Sequence, residues 1–362
     1  MIFFIAGILV YLGLNGLVFR SLLHTMAHWP LLIKISISVL YWVLSVSFVL
    51  FQIFHAKLQL HVAHYLYWLT MGWLAFFLYL LLALGVVTLI KWIGVPVPHV
   101  WGISLGVTIL VLTLGHIHFR NPVAKHQTIE LAHSTEQKNS MRVVAVSDLH
   151  LGYGINRARL KQYVQRINEQ KPNLILIGGD LIDMSVRPLW EENMQEELNK
   201  LNAPLGVYMV LGNHEYISGS EAACEFIRST NIRLLRDSVV KLPNGIQIVG
   251  RDDRSNPARQ SITDLLVQTA PATPVFVLDH QPANWEVEQM VDTNRADFSF
   301  FGHTHKGQIW PLNYVTSLVY KQDYGYQMRD KTHLYVSSGL GLWGPPFRIG
   351  TDSEIVVIDF TF

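Results

Sequence analysis

The feature that most constrains this chain is its first third, which is almost free of charge. Lys34 is the only formal charge inside four apolar stretches, and it lies close enough to one end to reach the interface. Each stretch is near or above the roughly 20 residues that span the hydrocarbon core of a bilayer: 2–19, 31–54, 65–90 and 100–117. Trp and Tyr recur at their ends, as in interfacial belts. The pattern predicts an all-α transmembrane region of about four helices over 1–119.

The orientation of these spans is not fixed by charge. Four spans place both ends of the region on one side of the membrane, and each side then carries three basic residues: Lys57, Arg120 and Lys125 against Arg20, Lys34 and Lys91. The positive-inside rule therefore does not decide the orientation. We predict a multi-pass integral membrane protein with the lipid bilayer as its partner, and the side on which its remaining domain lies stays open.

The remaining residues, 120–362, carry most of the charge and alternate short apolar runs with amphipathic segments. Strands are predicted at 143–146, 174–177 and 207–211, and helices at 157–169, 188–201, 221–229 and 261–269. Residues 128–131 alternate like a strand that pairs with 142–146, and Asn244-Gly245 predicts a hairpin turn. The order predicts an α/β domain of mixed sheet, with two sheets packed together and helices outside.

Composition excludes several classes of function. The 28 Lys and Arg residues balance 27 Asp and Glu residues, so nothing points to nucleic acid as a partner. Protein partners cannot be deduced from these residues. Cys224 is the single cysteine, which excludes an internal disulfide and a cysteine-based zinc site.

Polar side chains follow the predicted strands at the points where the strands end. Such positions are where an α/β sheet places its chemistry. They fall in five short segments of mostly Asp, His and Asn: Asp148 and His150, Asp180, Asn213 and His214, His280, and finally His303 and His305. These side chains suit hard or borderline divalent metal ions. The sequence therefore predicts a metal centre.

Two ions about 4 Å apart need one ligand that binds both, and a carboxylate is suited to that. We assign the bridge to Asp180, because it lies between the other ligand segments along the chain. One ion would be held by Asp148, His150, Asp180 and His305, and the second by Asp180, Asn213, His280 and His303. His214 is predicted to face the substrate, where it could donate a hydrogen bond or a proton.

These segments together resemble the signature of the calcineurin-like metallophosphoesterases. The wording around Asp148 and the sequence Gly302-His303-Thr304-His305 is similar to that of the membrane-associated bacterial branch, with its YkuE-like phosphodiesterases and UDP-2,3-diacylglucosamine pyrophosphatases. The resemblance covers roughly 123–362. It implies a fold of two β-sheets between helices and a dinuclear Mn, Fe or Zn centre, of which we expect Mn.

The resemblance also implies a reaction and a place. The reaction is hydrolysis of a phosphoester or pyrophosphate by in-line attack of a metal-bridging hydroxide. The place is the bacterial plasma membrane. Because several spans tie the domain to a bilayer, we hypothesise a lipid-linked phosphate substrate. Two other interpretations stay open: a metal-bound regulatory or scaffolding module, and a transporter with an appended phosphatase domain.

Several residues are left with two interpretations each. Lys306 stands where the branch usually has a glycine, and either faces phosphate or points to solvent. Asp183 either orients a metal ligand or lies in a surface turn. The aromatic loop 343–347 either touches lipid or covers the sheet edge, and Asp252 and Asp253 are expected in a solvated loop.

Overall fold

The computed structural model describes residues 2–131, 140–271 and 273–361. They form two compact units. One comprises Met1–Ile117 and Gly344–Phe347, and the other comprises His118–Trp343 and Arg348–Phe362. We call the first the helical unit and the second the α/β unit.

The helices within these ranges are α1 (Ile2–Thr25), α2 (Leu31–Phe54), α3 (Leu60–Trp92), α4 (Val100–Arg120), α5 (Arg157–Glu169), α6 (Arg187–Glu191), α7 (Met194–Leu198), α8 (Asn213–Ile217), α9 (Ser220–Arg228), α10 (Ile262–Val267), α11 (Asn284–Asp292) and α12 (Asn313–Val319). The strands are β1 (Val123–Glu130), β2 (Ser140–Val146), β3 (Leu174–Ile177), β4 (Val207–Met209), β5 (Arg233–Leu234), β6 (Ser238–Lys241), β7 (Gln247–Gly250), β8 (Val275–Leu278), β9 (Phe298–Phe301), β10 (Gly325–Arg329), β11 (Thr332–Val336) and β12 (Glu354–Thr361).

Four long apolar helices precede the α/β part of the chain, as predicted. Each of α1 to α4 is long and apolar enough to cross a membrane, with mean hydropathy between 1.6 and 2.5. The helix α3 has 33 residues and is longer than the predicted span 65–90. The helix continues past both ends of the predicted span, because a helix can include residues that are less apolar than a membrane span requires.

A buried polar network joins α1 to α2 inside the helical unit. The Asn15 side chain is fully buried, and its Oδ1 accepts hydrogen bonds from the Tyr41 hydroxyl (3.0 Å) and the Ser45 hydroxyl (2.9 Å). Its Nδ2 donates to the Tyr11 carbonyl at 2.9 Å. Polar contacts of this kind hold helices together where apolar burial gives little preference among partners. The network therefore has a structural role.

The first sheet has the strand order β1-β12-β2-β3-β4-β5. Strands β2 to β5 run parallel, and β12 is antiparallel to β2. The predicted pairing of 128–131 with 142–146 is wrong, because β12 lies between β1 and β2 and pairs with both. The strand-like pattern at 355–360 is local, but it gave no signal of where in the sheet that strand would pair.

The second sheet has the order β10-β11-β9-β8-β7-β6 and is also mixed. The predicted hairpin at Asn244-Gly245 is present, since β6 and β7 are antiparallel neighbours. The single helix predicted at 188–201 is instead two, α6 and α7. Asn193 separates them in a left-handed conformation with φ of 52°, which a continuing helix excludes.

The two sheets of the α/β unit pack face to face. Phe276 of β8 and Phe298 of β9 contact Phe360 of β12, with ring centroids 4.7 and 5.2 Å apart. These residues belong to one buried apolar cluster that draws side chains from both sheets. On the outer face of the second sheet, α10 and α11 pack through residues such as Leu265 and Met290. The fold is the predicted pair of mixed sheets with helices outside.

Candidate metal centre

Parallel strands place the candidate ligands at common sheet edges. In the first sheet β2, β3 and β4 are parallel, so the residues that follow them emerge at one edge. In the second sheet β8 and β9 are parallel, and His280 and the His303–His305 segment follow them. The structure brings the predicted ligands together in two groups, and a third group of His150, Asp183 and His214 shares His150 with the first.

The first group consists of Asp148, His150 and His305. The two imidazole Nε2 atoms lie 3.0 Å apart. Asp148 Oδ1 lies 3.4 Å from His305 Nε2 and 3.9 Å from His150 Nε2. All three side chains are buried, so their donor atoms converge on one point away from bulk water.

The second group consists of Asp180, His280 and His303, with Asn213 beside them. Asp180 Oδ2 lies 3.1 Å from His280 Nε2. Asn213 Oδ1 lies 3.2 Å from His280 Nε2 and 2.8 Å from His303 Nδ1. A carboxylate, an amide oxygen and two imidazoles therefore converge on a second point.

Asp180 lies between the two groups. Its Oδ2 is 3.1 Å from His280 Nε2 in one group and 3.8 Å from His150 Nε2 in the other. Its Oδ1 accepts a hydrogen bond of 2.8 Å from the His214 backbone N–H, which fixes the orientation of the carboxylate. Asp180 is thus near a histidine of each group, and its bridging role stays a prediction.

The ligand-bearing backbone is held in an uncommon conformation. Five of the candidate ligands have positive φ, between 48° and 73°: Asp148, His150, Asp180, His303 and His305. Each such residue that is not glycine costs free energy, and such residues cluster at functional sites where the surroundings impose them. These turns allow two side chains that are close in sequence, such as His303 and His305, to both reach the candidate metal centre.

The side chains fit divalent cations by their chemistry. Asp148 and Asp180 are buried carboxylates whose charged partners are histidines, and buried charge of this kind calls for a compensating cation. Burial holds the pKa of His305 well below its ordinary value. Burial and the His280 charge together lower the pKa of His303 to about 4. Both are therefore neutral at pH 7, which is the form that binds metal.

The His280 ring is oriented by the backbone that follows β3. Its Nδ1 lies 2.8 Å from the Gly178 carbonyl oxygen, which can only accept a hydrogen bond. Nδ1 therefore carries a proton, and Nε2 faces Asp180 and Asn213. Burial lowers the pKa of His280, but the neighbouring Asp180 charge outweighs it and raises that pKa well above its ordinary value. Contacts of this type fix the tautomer of metal-binding histidines.

His214 and Asp183 form a pair at the edge of the centre. His214 Nδ1 lies 3.2 Å from Asp183 Oδ1, and the His214 and His150 ring centroids are 4.5 Å apart. Burial lowers the pKa of His214, but the hydrogen bond with Asp183 and the charge of Asp180 outweigh it, raising the pKa to about 9. Asp183 is buried, which excludes the surface-turn interpretation, and its Oδ1 also lies 3.6 Å from His150 Nδ1.

Glu215 is a buried residue beside the centre whose contacts the sequence did not reveal. Its side chain is fully buried and accepts hydrogen bonds from the backbone N–H groups of Gly212 (2.7 Å), Asp180 (3.1 Å) and Ile182 (2.9 Å). It thus ties the Asp180 segment to the Asn213 segment. Its place in the motif was visible, but its contacts depend on tertiary structure.

Arg348 is a second residue that gave no sequence signal. It is buried, and its guanidinium donates to the carbonyl oxygens of Gly341 (2.7 Å), Gly339 (3.1 Å) and His305 (3.3 Å). Because it holds the backbone of His305 from a distant part of the chain, it is a positioning residue for that ligand.

The expectation that Asp252 and Asp253 lie in a solvated loop is wrong. Both are buried, and Asp252 forms an ion pair with Arg236 at 2.8 Å. Asp253 Oδ2 accepts a hydrogen bond from Gln281, the residue after His280. The loop follows β7 at the same edge as β8, so neighbouring segments cover it.

Lys306 and Trp343 lie on the rim of the centre. Lys306 Nζ sits 4.2 Å from the Tyr324 ring centroid, a cation–π geometry that occupies this amine. Trp343 is 55% exposed, and its ring centroid is 6.4 Å from that of His214. Both backbone polar groups of Trp343 bond to the Gln308 side chain, which holds the indole in place.

Comparison with known proteins agrees with this geometry. Residues 141–307 match the family described as calcineurin-like phosphoesterase. The match shows that residues 141–307 carry a calcineurin-like metallophosphoesterase domain, as the motifs predicted. The family description names a phosphoesterase, so the domain is of a phosphoester-hydrolysing type.

Related proteins carry the same domain. An uncharacterized metallophosphoesterase of Campylobacter jejuni is 31% identical over 66% of this chain and 63% of its own length. A transmembrane protein with metallophosphoesterase domain from Danio rerio is 32% identical over 62% of this chain and 54% of its own. The uncharacterized metallophosphoesterase YkuE of Bacillus subtilis is 27% identical over 60% and 78%. The chain thus spans between about half and two thirds of the length of the first two relatives.

Proposed function

We propose that this chain is a membrane-anchored phosphoesterase that uses two divalent metal ions to hydrolyse a phosphodiester or pyrophosphate bond. The observation that carries the proposal is the position of Asp180, whose Oδ2 lies near a histidine of each group. A carboxylate so placed serves both ions. A regulatory module would have no need of every donor, and all the predicted donors are present.

The proposed roles divide between the ions and the side chains. When bound, divalent ions supply Lewis acidity toward phosphoryl oxygens and activate water for attack. Asp148, His150, Asp180 and His305 would hold one ion, and Asp180, Asn213, His280 and His303 the other. Mn is our proposed metal. The side chains keep these donors oriented, because each is fixed by burial, strained turns or backbone hydrogen bonds.

His214 is the proposed general acid. Its Nδ1 faces Asp183 at 3.2 Å, so Nε2 is the nitrogen left for the substrate. Asp183 favours the protonated ring, and a protonated imidazole can donate to a leaving oxygen. A positioned acid of this kind contributes about 10² to 10⁴-fold to a rate.

The proposed location is the bacterial plasma membrane, in which α1 to α4 would form a multi-pass anchor. Their length and hydropathy support this, and the Danio rerio relative is named a transmembrane protein. A domain tied to a bilayer reaches lipid-linked phosphates without diffusing through water. We therefore propose a lipid-linked phosphoester as the substrate.

Metal dependence is the first test of this function. The full chain, purified in detergent, is expected to hydrolyse bis-p-nitrophenyl phosphate. Chelation with EDTA should abolish turnover, and added Mn²⁺ should restore it. Carboxylates and neutral histidines carry no positive charge that could stabilise an anionic phosphate without the metal. Turnover that survives chelation and dialysis unchanged would contradict the proposal.

The role of His214 is tested with leaving groups of different quality. We expect His214→Gln to slow hydrolysis of an alkyl phosphoester by about 10² to 10⁴-fold, since the alkoxide needs the proton. A nitrophenyl ester should be slowed much less, because nitrophenolate leaves unaided. Metal content should not change. His333→Gln, a buried histidine of β11 that bonds to Tyr326, is the matched control. Equal slowing of both esters would exclude the acid role.

A further inference from the structure

A segment beside the metal centre exposes apolar side chains that nothing in the catalytic proposal uses. The sequence from Gly307 to Tyr320 contains no charged residue and lies between Lys306 and Lys321. It includes α12, none of whose seven residues is buried. Its exposed side chains are Trp310 (44%), Leu312 (41%), Tyr314 (59%), Val315 (56%), Leu318 (86%) and Val319 (57%). We call these six residues the α12 patch.

The polar side of this segment holds it on the α/β unit. The Thr316 hydroxyl donates to Asp323 Oδ2 at 2.8 Å, and Asn284 donates to the Val319 carbonyl at 3.0 Å. The apolar side chains are then left facing outward. Contiguous exposed apolar residues of this kind mark an interaction surface.

The segment is also joined to the loop that carries the histidine pair. The Thr304 hydroxyl, between His303 and His305, donates to the Asp323 carbonyl at 2.6 Å. Gly307 lies so close to Asn313, the first residue of α12, that an added Cβ would overlap the Asn313 nitrogen. A surface that binds the α12 patch therefore lies next to the candidate ligands.

We propose that the α12 patch docks into the interfacial layer of a lipid bilayer. Trp and Tyr favour that layer, and Leu and Val enter the acyl boundary. A helix of seven residues is about 10 Å long. That is too small to provide the roughly 800 Å² per partner of a stable protein interface. The same chain carries four helices able to cross a membrane, so a bilayer is an available partner.

This inference extends the proposed function, on which its catalytic meaning rests. Docking would bring the His303–His305 segment to the lipid surface and favour phosphate esters held in the headgroup layer over soluble ones. Lipid contact itself is a physical property that can be measured without turnover. A failure of hydrolysis would thus leave the docking result intact.

The test uses the full chain in nanodiscs that contain phosphatidylcholine and phosphatidylglycerol. Cys224, the single cysteine, is replaced by alanine, and Leu318→Cys is labelled with the fluorophore NBD. Doxyl-labelled phosphatidylcholine should quench the probe several-fold more strongly than a probe at Val267→Cys. Val267 is the matched control because it is an apolar residue of α10, 74% exposed.

Two outcomes would overturn the proposal. One is equal quenching at positions 318 and 267. The other is a blue-shifted NBD spectrum at position 318 without doxyl quenching, which would place α12 against protein, either a partner or a second copy. Adding Val315→Glu to the labelled chain should reduce the quenching, since a carboxylate resists entry into the acyl boundary. Unchanged quenching would also contradict docking through this patch.

Discussion

Asp180→Asn is expected to reduce metal-dependent hydrolysis by about 10³-fold or more, because a metal centre supplies several kcal/mol of charge stabilisation and each 1.36 kcal/mol is tenfold in rate. Asparagine keeps the shape and the Oδ1 acceptor for the His214 N–H. It removes the charge and places an NH₂ group toward His280. The α/β unit should therefore stay folded.

The comparison that isolates this effect is Asp359→Asn, which removes a carboxylate outside the centre. Asp359 of β12 is partly exposed and forms an ion pair with Arg142 of β2. Hydrolysis of bis-p-nitrophenyl phosphate should be unchanged in that variant, and circular dichroism should show both proteins folded. Near-normal turnover in the Asp180→Asn protein would exclude Asp180 as a ligand of the proposed metal centre.

The second large effect is expected for Gly302→Ala. An added Cβ would overlap the Asp148 Oδ2 atom and lie 2.8 Å from the Ser147 Cβ. The clash would displace either Asp148 or the His303 N–H, which donates to Asp148 Oδ1 at 3.0 Å. Overpacking of this kind costs about 1 to 3 kcal/mol of stability. We expect a lower unfolding temperature and weaker retention of metal.

The matched control is Gly106→Ala, a helical glycine with no atom within 4 Å of the point where an added Cβ would lie. Alanine should be neutral or slightly stabilising there, since it has the higher helix propensity. Metal retention is measured by dialysis against chelator, and stability by thermal unfolding. A Gly302→Ala protein that retains metal as well as the unchanged chain would contradict this prediction. It would show that metal retention does not depend on the close contact between the Asp148 and His303 segments.

Local patterns were sufficient for much of the fold. Uninterrupted apolar runs predicted four helices because a span needs only length and hydrophobicity. The helix α5 begins and ends where its amphipathic pattern does, at Arg157 and Glu169. The place of β12 between β1 and β2 could not be predicted, since strand pairing over some 200 residues depends on which edge the rest of the sheet leaves open.

The candidate site also contains residues that the sequence could identify and residues that it could not. His303 and His305 stand out because their spacing and residue types are unusual beside a strand end. Glu215 and Arg348 make contacts with distant segments, so their types and positions alone gave no role. For Asp183 the sequence left two interpretations open. Buried polar residues are explained only once their partners are known, and those partners come from the packing of two sheets.

The most direct measurement is the metal content of the full chain, determined by inductively coupled plasma mass spectrometry after loading with Mn²⁺ and removal of free ions. The proposed centre predicts two ions per chain, and at most one in Asp180→Asn, because the shared carboxylate is lost. A fully active chain that holds a single ion, with the same content in Asp180→Asn, would contradict a dinuclear centre bridged by Asp180.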